Sequence, residues 1–324
     1  MSSNNDISFF KSRPGHDPKR TRVLLLQGGW NTESKISLET GTAVQTTLHE
    51  MGYHFDVHQP KPGFTELAEI VQNGQYDVVF NALHGRHFED GELQRCLDKQ
   101  DVKYTHSNAA ASELCFDKGR TKRVLRKIGV PVPPGKLHTF DEIRFQHPIT
   151  PPYVVKPINE GSSVGVHIIQ PGDQPLGHKI EKWDFGTCLV EEYIKGKELS
   201  VAVLCDQAIG VVEISPKSGF YDYANKYTEG RTDHQMPANV SDEIYSKAMQ
   251  YAEQCHLAIG CSAVSRTDIR YQIESGTLFV LEVNTQPGLT KLSLLPEICL
   301  YRDICFSDII YWIIESTMRN VSSA

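Results

Sequence analysis

The chain has 324 residues, 40% hydrophobic and 23% charged, a balance that excludes wholesale disorder and, at roughly 100–200 residues per domain, leaves room for two or three folded units. Its 33 Lys and Arg against 40 Asp and Glu give a formal net charge of −7, so it lacks the overall basic footprint of a nucleic-acid binder. The longest apolar runs, as at 309–314, fall far short of the roughly 20 residues of a membrane span, and the polar start has no apolar stretch of a secretory signal.

The expectation is a soluble protein with neither nucleic acid nor membrane as partner. Eight cysteines without any C-x-x-C pair point to a reducing compartment, the cytoplasm, and away from a zinc ribbon or redox dithiol.

Residues 1–20 are polar, carry Pro14 and Pro18, and read as a loosely held tail. RVLLLQGG at 22–29 reads as a buried parallel strand, followed by a helix over 37–51 stopped by Gly52. A strand at 54–58, a helix at 66–72 and a strand at 76–83 complete the pattern of a small parallel α/β sheet. Ligands gather at the carboxyl ends of such strands, which should bring Gly28-Gly29-Trp30 near Leu83-His84-Gly85. One helical stretch with Lys118 and Lys122 is expected over 108–129, ended by Pro131, Pro133 and Pro134. Short strands follow at 153–157, 164–170 and 188–194, then strands at 198–205 and 209–215 and a polar loop at 216–239. A helix at 242–256, a hairpin over 262–284 and an apolar helix at 309–316 close the chain. The expected organisation is a tail (1–20), an N-terminal α/β domain (21–107), a central domain (108–191) and a C-terminal domain (192–324).

The hairpin carries the most information. With a three-residue loop Glu274-Ser275-Gly276, Asp268 faces Glu282 and Arg266 faces Asn284. Strand alternation then sends Ile269, Tyr271, Ile273, Phe279, Leu281 and Val283 to the opposite face. Two opposed carboxylates repel unless something positive sits between them, and an all-oxygen set of Asp, Glu and Asn suits Mg²⁺. An ordinary amphipathic hairpin with a solvated outer face accounts for the spacing equally well.

In VVKPINEGSSVG at 154–165, a lysine ends an apolar strand and a loop of small residues follows. Its backbone N–H groups and Ser162 and Ser163 hydroxyls suit an anion, with Lys156 adding a point charge. It is neither a Walker A loop nor a dinucleotide turn, and a plain hairpin connection is the commoner origin of such a loop. The stretch 216–230, with Phe220, Tyr221, Tyr223 and Tyr227, exceeds the about 12–15 residues usual for a structureless loop and reads as a lid that excludes water. His84 and His87 have no third ligand at metal spacing, Glu33 has an alternative reading as a first-turn helix acid, and Lys118 one as a surface charge. Nothing marks a serine or cysteine nucleophile.

Together these segments resemble the D-alanine–D-alanine ligases of the ATP-grasp superfamily. Eight markers stand in family order: GG-x-x-x-E at 28–33, ALHG at 82–85, EDG at 89–91, DK at 117–118, KP-x-x-EGSSVG at 156–165, FYDY-x-x-KY at 220–227, R-x-D at 266–268 and LE-x-NT-x-PG-x-T at 281–290. The resemblance implies an ATP-grasp fold behind a small parallel α/β domain, two Mg²⁺ or Mn²⁺ ions, a homodimer, and ATP-driven joining of two D-alanines through a D-alanyl phosphate for peptidoglycan precursors. By the same resemblance Asp268, Glu282 and Asn284 hold the metals. Lys118, Lys156 and Lys226 contact phosphates under Gly161, Ser162 and Ser163. Glu191, Glu192, Ile194 and Glu198 line the adenosine site. Arg266 and the Gly288 N–H stabilise the oxyanion. Glu33 and His84 serve the first D-alanine, and Ser293 and Leu294 the second. Ser162 and Tyr227 tie to Glu33, closing the lid.

The sequence departs from the family pattern at Ser34 and Lys35, where Arg and Glu are usual, at Glu192, where Lys is common, and at His87-Phe88 before EDG. A ligase forming D-Ala-D-Lac or D-Ala-D-Ser, or one using L-amino acids, is the near alternative, against which Tyr227 argues by resemblance. A silent nucleotide-binding homologue would lose a metal carboxylate or Arg266, and the sequence keeps them.

Overall fold

A computed structural model describes residues 7–319 apart from 218, 220–224, 226, 227 and 229. Three sheets organise it. The first is parallel, with β1 (Arg22–Leu26) between β2 (His54–His58) and β3 (Val78–Asn81). The run in β1 is apolar on both faces because both are covered: Leu24 and Leu26 pack with α2 (Thr65–Gly74) and α3 (Glu92–Asp98), while Val23 and Leu25 pack with α1 (Ser34–Met51). Asn31 Nδ2 donates to His84 O at 2.7 Å, so the Gly28 and Leu83 turns meet as expected.

The stretch expected as one helix over 108–129 is two, α4 (Ala109–Phe116) and α5 (Lys118–Lys127). Asp117 breaks it: its backbone is extended and its side chain accepts from Arg120 N, capping α5. Lys118 thereby becomes the first residue of a helix. Then β4 (Gly135–His138), the one-turn α6 (Phe140–Ile143), β5 (Tyr153–Pro157), β6 (His167–Ile169) and β7 (Cys188–Glu192) form an antiparallel sheet ordered β4-β7-β5-β6 with a small core of its own.

The third sheet is antiparallel, β10-β9-β8-β11-β12, from β8 (Lys197–Leu204), β9 (Gln207–Pro216), β10 (Thr232–Gln235), β11 (Val264–Gln272) and β12 (Thr277–Asn284). β10 lies inside the stretch expected as loop and pairs with the end of β9. α7 (Asp242–Ile259) covers the face carrying Leu199, Val201 and Val203. α8 (Leu294–Tyr301) and α9 (Phe306–Arg319) cover the other, where Ala202 and Leu204 join Val23 and Leu25 in one continuous core. Among the described residues no helix is long and apolar enough to cross a membrane.

Two further expectations fail instructively. Residues 7–20 are not loosely held. Phe10 is buried against Trp312, whose Nε1 donates to Phe10 O at 2.8 Å, and Arg13 pairs with Asp308 at 2.7 Å. His16 bridges Glu315 and Tyr53 at 2.6 Å each and stacks on Tyr311. The cause lies in α9, which is buried almost all round and carries two buried acids that need partners.

The hairpin turn leaves four residues, 273–276, beyond the last pair Gln272↔Thr277. A bulge between Asp268 and Ile269 absorbs the difference, so Asp268 still faces Glu282 and Arg266 still faces Asn284. Beyond the bulge the faces exchange. Leu278 and Val280 enter the core, while Phe279 and Leu281, expected there, do not. Ile273 is exposed.

Candidate active site

Every predicted site residue among those described lines one of two cavities, and Lys118, Glu160 and Glu282 line both. Lys226 and Tyr227 lie outside the described residues.

The first cavity collects side chains from three directions. Glu33 caps α1, yet its carboxylate is not used on the helix; it accepts from Ser162 Oγ at 2.7 Å. That contact favours the site reading over the helix-acid reading. His84 is buried, with Nε2 3.0 Å from Thr40 Oγ1 and Nδ1 3.2 Å from Glu89 Oε1. His87 goes elsewhere: its Nδ1 lies 2.6 Å from Glu92 Oε2, and its backbone N donates to Asp90 Oδ2 at 2.8 Å. Gly288 and Ser293 are in close register: a Cβ at 288 would lie 2.7 Å from Ser293 Oγ, which accepts from Thr290 N. Leu294 supplies an apolar wall. Lys35 is exposed and Ser34 opens α1, so neither departure changes the charge lining this cavity. Cys115 also lines it, but its contact with Cys261 and its burial push the thiol well above its ordinary value, which disfavours the thiolate a nucleophile needs.

Gly161, Ser162 and Ser163 form the wall between the cavities, with Gly161 and Ser162 on the first and Ser163 on the second. Ser162 and Ser163 have φ of 50° and 60°, and Val164 N donates to Gly161 O. Two successive non-glycine residues in the left-handed region cost of order 1 kcal/mol each, strain that clusters at functional loops. Lys118 Nζ reaches Glu160 O at 2.5 Å and lies 3.7 Å from Glu282 Oε2, at the junction.

The acids sit as the register dictates. Asp268 is buried and accepts Arg266 through Nε and Nη2 at 3.0 and 2.9 Å, and Ser200 Oγ at 2.7 Å. Asn284 Oδ1 accepts from Gln286 N. Asp268, Glu282 and Asn284 thus offer a hard, all-oxygen donor set on one end of one hairpin, which fits Mg²⁺ or Mn²⁺. The guanidinium of Arg266 meanwhile supplies the positive charge that two facing carboxylates require.

The second cavity has an apolar lining from Val154, Ile168, Ile194 and Leu281 and carboxylates from Glu192 and Glu198. Lys156 lines it with Nζ 2.8 Å from Glu191 Oε2, and Lys122 Nζ is 2.5 Å from the other oxygen. Burial alone would push the Glu191 carboxyl up, but Lys156 and Lys122 outweigh it and hold it below its ordinary range.

Sequence reasoning missed Ser200, Arg270 and Lys122. Arg270 donates to Ile194 O at 3.1 Å and Glu198 Oε2 at 3.0 Å. The signal was present as alternation: Glu198 and Ser200 lie opposite Arg270 and Asp268 in the β8–β11 ladder. Asn81 and Gln286 were missed too; Asn81 Nδ2 donates to Gln286 Oε1 at 2.7 Å, tying the end of β3 to the segment after β12.

Comparison with known proteins agrees with this geometry. A family model described as D-ala D-ala ligase C-terminus matches residues 136–315. A D-alanine--D-alanine ligase of Granulibacter bethesdensis is 42% identical over 298 residues, covering 91% of this chain and 97% of that protein. One from Zymomonas mobilis is 44% identical over 285 residues, covering 86% and 88%. Among solved structures, D-alanine--D-alanine ligase from Bacillus anthracis complexed with ATP aligns with a TM-score of 0.77 at 29% identity, covering 92% of this chain and 97% of the other. The VanG D-Ala:D-Ser ligase of Enterococcus faecalis aligns at 0.75 and 27%, covering 91% and 98%.

Proposed function

The chain belongs to the D-alanine–D-alanine ligase family, with its ATP-grasp fold and its ATP-dependent joining of two D-alanines for peptidoglycan precursors, and from that premise we propose how its own residues divide the work. The observation that carries the proposal is the shared wall: Lys118 and Glu282 border both a cavity with amino-acid-binding groups and one suited to a nucleotide. A phosphoryl group passing between the cavities crosses that wall.

In the second cavity the apolar lining holds adenine, Glu191, Glu192 and Ile194 border it, and Glu198 accepts a ribose hydroxyl. Lys118 and Lys156 meet the phosphates, with Lys226, and Gly161, Ser162 and Ser163 cover them. Asp268, Glu282 and Asn284 hold two divalent cations, which when bound neutralise the triphosphate. In the first cavity Glu33 takes the ammonium of the first D-alanine, beside His84, and Ser293 and Leu294 bind the second. The carboxylate of the first is phosphorylated and the amine of the second attacks the D-alanyl phosphate, expelling phosphate. Arg266 and the Gly288 N–H stabilise the oxyanion that forms. Tyr227 joins Ser162 in linking lid to Glu33 and so excludes water.

We further propose a cytoplasmic homodimer whose domains divide near residues 107 and 191, a division supported by the three sheets keeping to those bounds but for Glu192 at the end of β7. A phosphate-release assay across D-alanine, D-serine, D-lactate and L-alanine tests the whole. ATP-dependent release with D-alanine and formation of the dipeptide are expected, and preference for D-serine or D-lactate as second substrate would overturn the specificity.

A further inference from the structure

Glu191 and Lys156, in the wall of the nucleotide cavity, and Lys122 behind them form a buried cluster that the ligase reaction as derived leaves only partly used. Lys118 and Lys122 are one turn apart on α5, so they share a helix face. Lys118 stands at the junction of the cavities. Lys122 does not line either; its stem borders a groove on the far side with Gly135 and Leu189, and its ammonium is buried against Glu191. Glu191 is 2% exposed and holds Lys156 with its other oxygen. A Cβ at position 135 would lie 2.7 Å from Glu191 Cγ, so a glycine there gives this carboxylate its room.

Lys156 faces two claims. At rest it neutralises Glu191; with nucleotide bound it serves the phosphates. Removing the sole partner of a buried carboxylate is strongly unfavourable, so a lysine held by an otherwise unpaired Glu191 would be a poor phosphate ligand. Resting on the family reading above, we infer that Lys122 is a positioning residue that keeps Glu191 paired and thereby frees Lys156 for the nucleotide.

The groups facing Lys122 are Glu191 on β7, Lys156 on β5 and Glu282 on β12. Burial, reinforced by Lys156, pushes its ammonium down to about 7. As pH rises through that value Lys122 loses its proton, Glu191 keeps only Lys156, and nucleotide affinity falls.

The test is calorimetric binding of ATP with excess Mg²⁺ to the full chain, without D-alanine, from about pH 6 to 8. Wild type is expected to bind more weakly as pH rises. Lys122→Met should weaken binding by at least about tenfold and flatten the pH profile. Lys122→Arg should keep affinity within about threefold and also lose the pH dependence, because arginine stays charged. Unchanged affinity in Lys122→Met, or an undiminished pH profile in Lys122→Arg, overturns the inference; should the methionine variant fail to fold, the arginine variant alone decides. Absence of ATP binding by wild type would instead overturn the family reading and this inference with it.

Discussion

Asp268 shows how one carboxylate is prepared before any cation reaches it. Arg266 occupies both of its oxygens and Ser200 one of them, so the side chain is fixed rather than searching. Partners that orient a metal ligand commonly matter 10–100-fold, and Ser200→Ala should weaken Mn²⁺ binding about tenfold while Ser200→Thr restores it. Titration of free Mn²⁺ by electron paramagnetic resonance reads this without turnover. Glu282→Gln removes a donor outright. Phosphate release with D-alanine should drop more than about 100-fold with folding intact by circular dichroism; near-wild-type activity would refute the metal assignment. The acids were legible in the sequence because two strands and a turn fix who faces whom. Ser200 and Arg270 were not, since their partners lie on a strand some 70 positions away in the chain, and only the sheet order reveals that adjacency.

Elements proved easier to find than to bound. The apolar run of β1 and the caps of α1 and α7 speak locally, whereas the split between α4 and α5 depends on one residue, Asp117, whose side chain prefers capping to continuing a helix. The N-terminal segment misled for another reason: its composition is polar, but its Phe10 and His16 serve a helix about 300 positions later. Phe10→Ala should cost about 3 kcal/mol in denaturant unfolding. Acid should act on the same contact. Burial would push the Glu315 carboxyl up, but His16 and Arg319 outweigh it and hold it below its ordinary 4.5. A carboxyl depressed in the folded state stabilises fully above its unfolded value, and that stability is lost as pH falls through the folded one. Limited proteolysis should therefore cut residues 7–20 more readily below about pH 4.5, and Glu315→Gln should make them cleavable at neutral pH.

At the scale of the molecule, the first and third sheets share a core and the Asn81–Gln286 pair, whereas the four-stranded sheet keeps to its own apolar cluster. Among the described residues, the polar contacts that join it to the rest include Ser162 to Glu33, Lys118 N to Ile158 O, and Lys122 to Glu191. Ser162→Ala should raise the KM for D-alanine about tenfold with little change for ATP, and let ATP be hydrolysed without dipeptide. The ratio of phosphate to dipeptide released measures it; a ratio near one would refute the role. A seam of this kind has its own response to surroundings. The Lys122–Glu191 pair and the Glu33 carboxylate lie out of solvent, so dissolved salt screens these links little, whereas losing or gaining one proton in them changes the seam at once. The seam beside the reaction chamber thus answers to charge state rather than to ionic strength.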